Sequence, residues 1–351
     1  MSGVTTWLEF TPLDTILVRD GRAVDGGVSA VSATAAPLPS TMGGAVRTAL
    51  GTDVGGHLVG PLVAIRAGGD SDSMIRPAFP IPRDLVSDDG AVYRSAPVPI
   101  RDDEKTDLPP SVTHLLHGRG DPLDGLCDIT AMDEWLCGTD LLAAGGSVDG
   151  AWWQARSDIH PWHVEARAGL ALRWDGELQG TAEPGMLYAS AHLRPHEGTR
   201  LLVGCVAAEP IPVRREVVPL GGRGRQAAVA MVAAPALPTR PEDFPGGRVA
   251  VYLATPALMD DPYWCPPQAK LCAVALSGPQ PVATASQRRG LWQSRQLNWA
   301  VPAGTVYYLD FGTPDAARVW AANHHGGLLP GQTAGLRLVT AGFGLCFTGR
   351  W

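Results

Sequence analysis

Residues 4–51 decide the reading of the fold: Val4-Thr-Thr-Trp-Leu-Glu-Phe10, a stretch rich in Pro, Ser and Thr, and then Pro37-Leu-Pro-Ser-Thr-Met-Gly-Gly-Ala-Val-Arg-Thr-Ala-Leu-Gly51. β-Branched and aromatic residues over 4–10 predict a strand. Thr15 to Val18 continues extended as far as Asp20-Gly21, a turn dipeptide. Pro39-Ser40-Thr41 opens a helix with Thr41 as the expected cap. Met42, Val46, Ala49 and Leu50 recur at helical spacing, and Gly51 stands where a C-terminal glycine belongs. Strand, long loop and capped helix begin a βα unit.

Working outward, residues 52–150 have an irregular pattern rich in Pro, Gly and Asp, with one helical stretch over Ile129 to Cys137. They read mostly as an insertion. Met186 to Leu193 and Arg200 to Val206 are strand-like runs separated by Pro195-His196-Glu197-Gly198, which predicts a hairpin. Leu220-Gly-Gly-Arg-Gly-Arg225 follows, and Pro235 to Gly247 has the composition of a linker. Beyond it, Arg248 to Ala254, Leu271 to Leu276, Val306 to Phe311, Leu336 to Thr340 and Leu345 to Thr348 read as strands, and Asp315 to Asn323 as a helix. The expectation is an α+β sandwich built twice, residues 1–238 with the insertion near 52–150, and residues 248–351.

The length of 351 residues suits two domains of moderate size. Apolar content of 45% with 18% charged residues describes a folded chain. Six cysteines without a C-x-x-C pair predict reduced thiols and no zinc site. No apolar run reaches the roughly 18 residues of a membrane span, so a cytoplasmic protein is expected. The net charge of −7 argues against an acidic polymer as partner unless basic residues are locally concentrated. Of 28 basic residues only Lys105 and Lys270 are lysines. Arginine forks to phosphate and stacks on bases, but a GC-rich genome also enriches it, so position has to decide.

Four segments in order, Leu13-Asp-Thr-Ile-Leu-Val-Arg-Asp-Gly-Arg22, Pro37 to Arg47, Leu220 to Arg225, and Gly342-Phe-Gly-Leu-Cys-Phe-Thr-Gly-Arg-Trp351, resemble the third-subunit family of type III-B CRISPR (Cmr) effector complexes. Weaker echoes lie at Pro184 to Tyr188, Leu253 to Pro256 and Val301 to Tyr307. The resemblance implies a member of the RAMP superfamily with two ferredoxin-like, RRM-like domains in tandem. It implies a non-catalytic subunit that binds the repeat-derived 5′ tag of the guide RNA (crRNA) and contacts the large cyclase-like subunit and the first RAMP backbone subunit. Target RNA would be met only indirectly. Ala23-Val24, where relatives commonly have Pro and an aromatic, and Arg223, where an acidic residue is frequent, depart from the pattern.

Under that reading the candidate RNA-binding residues are Arg19, Arg22, Ser40, Thr41, Gly43, Gly44, Arg47, Gly221, Gly222, Arg223, Gly224, Arg225, Arg288, Arg289, Gly342, Phe343 and Gly344. Two glycines in a first helical turn cost about 1 kcal/mol each relative to alanine. Either they admit a phosphate to the helix N-terminus beside Arg47, or they let the helix pack tightly on its sheet. Gly221 to Arg225 can form an N–H nest with guanidinium arms or a glycine turn with solvated arginines. Arg214-Arg215 adds charge upstream. Asp20, between Arg19 and Arg22, forms a turn or orients an arginine. Gly342-Phe343-Gly344 either presents a ring for base stacking or bends a strand. Arg288-Arg289 with Trp292 and Arg295 forms a basic and aromatic cluster or a solvated loop.

His114/His117, His160/His163, His192/His196 and His324/His325 have no clear acid, base or metal partner in the sequence, and no Walker, G-x-S-x-G or H-E-x-x-H pattern is present. No cofactor, metal or catalytic residue is expected. The rival reading is a RAMP-type endoribonuclease that processes guide RNA with histidine acid–base chemistry.

Overall fold

The computed structural model describes residues 3–18, 30–31, 36–66, 74–118, 120–138, 142–172, 180, 182–222, 224–284, 287–288, 291–292, 296–333 and 335–351. Two sheets carry the architecture. The first has seven strands: β1 (Val4–Pro12), β2 (His57–Arg66), β3 (Ile75–Pro80), β4 (Leu126–Asp128), β7 (Thr199–Ala207), β8 (Val217–Pro219) and β9 (Gln226–Val232). Their order is β4-β3-β2-β7-β1-β9-β8. Helix α1 (Pro39–Leu50) lies between β1 and β2 in the chain. Two further strands, β5 (Trp162–Leu172) and β6 (Ala182–Pro195), pair with each other outside this sheet.

The second sheet has five strands: β10 (Arg248–Leu253), β11 (Lys270–Ala275), β14 (Val306–Asp310), β15 (Gly327–Leu328) and β16 (Leu345–Gly349), in the order β11-β14-β10-β16-β15. A ribbon of β12 (Gln280–Thr284) and β13 (Gln296–Ala300) rises between β11 and β14. Helix α4 (Pro314–His324) precedes β15, with Thr313 capping its N-terminus. Every pairing within the two sheets is antiparallel. The result is the expected α+β chain of mostly antiparallel sheets with few helices.

Period-two burial explains how the layers stack. On β10, Ala250 and Tyr252 enter one core while Val249, Val251 and Leu253 enter another. On β1, Trp7 faces the first of these and Leu8 and Phe10 turn to the opposite side, under α1. The two sheets therefore share a central core, in which Phe79 of β3 meets Phe347 of β16 edge to face at 5.9 Å. α1 covers the outer face of one sheet, and α4 with Trp320 covers the outer face of the other.

Three expectations are corrected. The runs 186–193 and 200–206 form strands but no hairpin: β6 pairs with β5, while β7 pairs with β1 and β2. Gly198, at φ 82, turns the chain from one sheet into the other. Residues 336–340 were expected extended, and Leu336–Val339 is instead a short helix, α5. The span 52–150 supplies β2, β3 and β4 of the main sheet, and its α2 (Ile129–Cys137) sends Met132, Trp135 and Leu136 into the central core. A further helix, α3 (Gly150–Ser157), ends the span and is capped by Asp149. No helix among the described residues is long and apolar enough to cross a membrane.

Candidate nucleic-acid interface

The recognisable segments meet around α1. Its N-cap is Leu38, in extended conformation and without a side-chain cap, so Thr41 does not take the capping role expected of it. Pro39 at the first helical position moves the start forward, and the Leu38 carbonyl accepts from the N–H groups of Thr41 (3.0 Å) and Met42 (3.1 Å). Ser40 and Thr41 lie half-buried in the first turn. Gly51 ends the helix in the left-handed region as expected, at φ 69. The N–H groups of Arg214 and Arg215 both donate to the Ala49 carbonyl of the last turn.

The glycine pair splits by position. A Cβ on Gly43 would lie 3.3 Å from the Ala341 Cβ, so this glycine packs α1 against the C-terminal loop, while Gly44 has nothing within 4 Å. Arg47, one turn on, is 60% exposed and pairs with Asp53 at 2.7 Å, itself 69% exposed. An ion pair so open to water contributes about 0–1 kcal/mol, which leaves the guanidinium available to a stronger anion. Gly43, Val46, Arg47, Asp53, Gly56 and Thr340 line a cleft of about 240 Å³.

At the C-terminal loop, Gly342 (φ 105) and Gly344 (φ 76) hold the left-handed region. A Cβ on Gly342 would collide with the Gly60 carbonyl oxygen. Thr255 donates to the Gly342 carbonyl (2.7 Å) and Gln332 to that of Phe343 (2.8 Å). The Phe343 ring is fully buried among Leu38, Leu258, Val282 and Ala300. The expectation that it presents a stacking surface is therefore corrected: the flanking glycines fold the ring inward, where apolar neighbours hold it.

The loop 220–225 closes on the stem of the first segment. Gly221, at φ 80, bridges Leu17, and the Gly222 N–H donates to the Leu17 carbonyl at 2.8 Å. Gly224, at φ 69, faces open space. Arg225 ion-pairs with Asp14, whose carboxylate also lies 3.7 Å from Arg167 and 3.8 Å from Arg194. Glu165 pairs with the same two arginines. The Thr15 N–H, and after it the arginines, hold the Asp14 carboxyl below its ordinary range. Arg194 and Arg167 hold that of Glu165 down to about 2.

Sequence reasoning missed Arg167 and Arg194, for which the alternation Glu165-x-Arg167 on one strand face was the available signal. Arg19, Arg22, Arg223 and Arg289 lie outside the described residues. Arg288 belongs to a two-residue strand paired with Leu291–Trp292.

The histidines have neighbours of several kinds. His192 is buried between Thr15 (2.9 Å) and Ser190 (3.2 Å). His163 and His196 meet at 3.1 Å, and His160 pairs with Asp158. His325 lies between Thr348 and the Pro238 carbonyl, and burial pushes its pKa down. Among the described residues no group of three or more His, Cys, Asp or Glu is placed to hold a metal.

The chain is similar in fold to a chain in a cryo-EM structure of the type III-B Cmr-beta complex bound to cognate target RNA, with a TM-score of 0.50 and 13% identity over 86% of each chain. A second structure of that complex, with target RNA and AMPPnP, gives 0.49 and 12% over the same shares. No curated protein matches the sequence. Residues 8–351 match the family model described as CRISPR-associated protein (Cas_Cmr3). With its motifs in order along one continuous match, the chain belongs to the Cas_Cmr3 family of CRISPR-associated proteins, the third subunit of type III-B Cmr complexes.

Proposed function

We propose that this chain is a non-catalytic, cytoplasmic subunit of a type III-B effector complex. It grips the repeat-derived 5′ tag of the guide RNA along α1 and contacts the large cyclase-like subunit and the first RAMP backbone subunit. The observation that carries this reading is the exposed Arg47 on a cleft that α1 forms with residues 53–58 and the C-terminal loop, where Ala341 packs against Gly43. The positive end of the α1 dipole and an exposed guanidinium on the same helix suit a phosphodiester backbone.

Both sheets support the tandem ferredoxin-like assignment. In β9-β1-β7-β2 and in β16-β10-β14-β11 the first and third strands of each unit are central neighbours, with the fourth and second outside them, as in a split βαβ unit. The first unit keeps the helix after its first strand and the second keeps the helix after its third.

Arg47→Ala should weaken binding of tag-bearing RNA about ten- to a hundredfold, the worth of one charge-assisted contact, without lowering the melting temperature. Arg225→Ala is the contrast. Arg225 is 22% exposed and held by Asp14, so its loss should lower stability as well. A fall in melting temperature for Arg47→Ala with unchanged affinity in the folded fraction would remove α1 from the RNA.

The purified protein should leave repeat RNA intact with or without divalent metal. Buried His192 already satisfies Thr15 and Ser190 and cannot approach a phosphate. Cleavage that disappears in His160→Ala or His163→Ala would establish the endoribonuclease reading in its place.

A further inference from the structure

The ribbon β12–β13 grows out of the site just described. Its inner face, Val282 and Ala300, is buried with Phe343, Leu38 and Leu258, which joins its base to the C-terminal loop and the N-cap of α1. Its outer face presents Leu297 (46% exposed) and Trp299 (57% exposed), side by side on alternate positions of β13. Pro281 stands opposite Trp299 in the register. The two side chains form one exposed apolar pair on the ribbon.

Charge chooses the occupant. Residues 280–300 include Arg288, Arg289 and Arg295 and not one acidic residue, a net +3 within a chain of net −7. An exposed aromatic ring within a span of basic sequence is the chemistry that holds single-stranded nucleic acid, through base stacking and phosphate attraction together.

We infer that Trp299 stacks on an unpaired base of the RNA bound at α1. The stacking aromatic of this site is thus Trp299, while Phe343 anchors the ribbon from below. This rests on the RNA-binding reading above and adds a base contact to its phosphate contacts. Leu297 extends the apolar platform, and the net positive charge of the 280–300 span supplies attraction that is independent of sequence.

The test uses the full-length protein and a single-stranded RNA carrying the repeat-derived tag, with Arg47→Ala measured alongside. Trp299→Ala should weaken binding about ten- to a hundredfold. Trp299→Leu, which keeps apolar bulk without a π face, should weaken it similarly, and Trp299→Phe should recover most of the affinity. All three should melt like the parent, because the side chain is exposed. Replacing tag nucleotides one at a time with abasic sites should reveal one position whose penalty vanishes in Trp299→Ala.

If the parent binds the RNA, Arg47→Ala binds it weakly and Trp299→Ala binds it normally, the stacking inference falls while the tag reading stands. If Trp299→Ala keeps its RNA affinity and loses association with the other effector subunits, the ribbon face is a protein contact and the inference falls. If the parent itself fails to bind tag-bearing RNA, the underlying reading falls with it.

Discussion

Arg94→Ala should cost about 3–5 kcal/mol of unfolding free energy, the scale for stranding one member of a buried ion pair. Arg94 and Asp84 have fully buried side chains and meet at 3.0 Å. The remaining guanidinium nitrogens donate to the carbonyls of Trp135 (2.9 Å), Leu142 (3.0 Å) and Arg350 (3.0 Å). Asp84 in turn accepts from the Trp135 indole N–H at 3.0 Å and from the Tyr308 hydroxyl at 2.5 Å. Burial, and after it the Asp84 carboxylate, pushes the Tyr308 phenol well above its ordinary pKa, so it remains a donor.

This network ties residues of the 52–150 span to the second sheet and to the C-terminus, and its donors and acceptors are matched. Removing Arg94 leaves the Asp84 charge in a dry core and three carbonyls without their donor. Arg94→Met with Asp84→Leu should therefore lose less than either single change. Urea denaturation followed by circular dichroism measures all three. A single-variant loss under about 1 kcal/mol, the scale of an exposed pair, would mean that water reaches the pair and the network is not what joins these segments.

Phe343→Ala should cost a similar amount, about 3–5 kcal/mol, because a fully buried phenyl ring is exchanged for a cavity. The loss falls where the N-cap of α1, the loop 255–258 and the base of the ribbon meet. Below the melting transition, the folded fraction should bind tag-bearing RNA within a few-fold of the parent. Calorimetry combined with an RNA titration at low temperature separates the two quantities. A variant that melts normally but loses RNA affinity would put the ring on the RNA and return Phe343 to the stacking role that Gly-Phe-Gly suggests in isolation.

Much of the secondary structure was legible because its causes are local. The strand over 4–10, the end of α1 at Gly51, the helix Ile129–Cys137 and the helix near 315–323 follow from side-chain periodicity, caps and turn residues within a few positions of one another. Family membership was legible for a related reason, since ordered motifs survive in the sequence without reference to contacts. Strand pairing was not. The runs 186–193 and 200–206 look like a hairpin because they are neighbours in the chain, yet each finds a better partner in a different sheet.

The same division runs through the candidate site. The sequence determined that glycines and arginines concentrate in a few segments, and that an aromatic lies between glycines at 342–344. Only the tertiary structure decided that Gly43 packs while Gly44 stays bare, that Arg47 is open to solvent while Arg225 is held by Asp14, and that Phe343 is buried while Trp299 is exposed. Residue type fixes what a side chain can do. Burial and pairing fix whether it is free to do it, and these depend on partners such as Asp14 and Arg225, 211 positions apart, that no local pattern brings together.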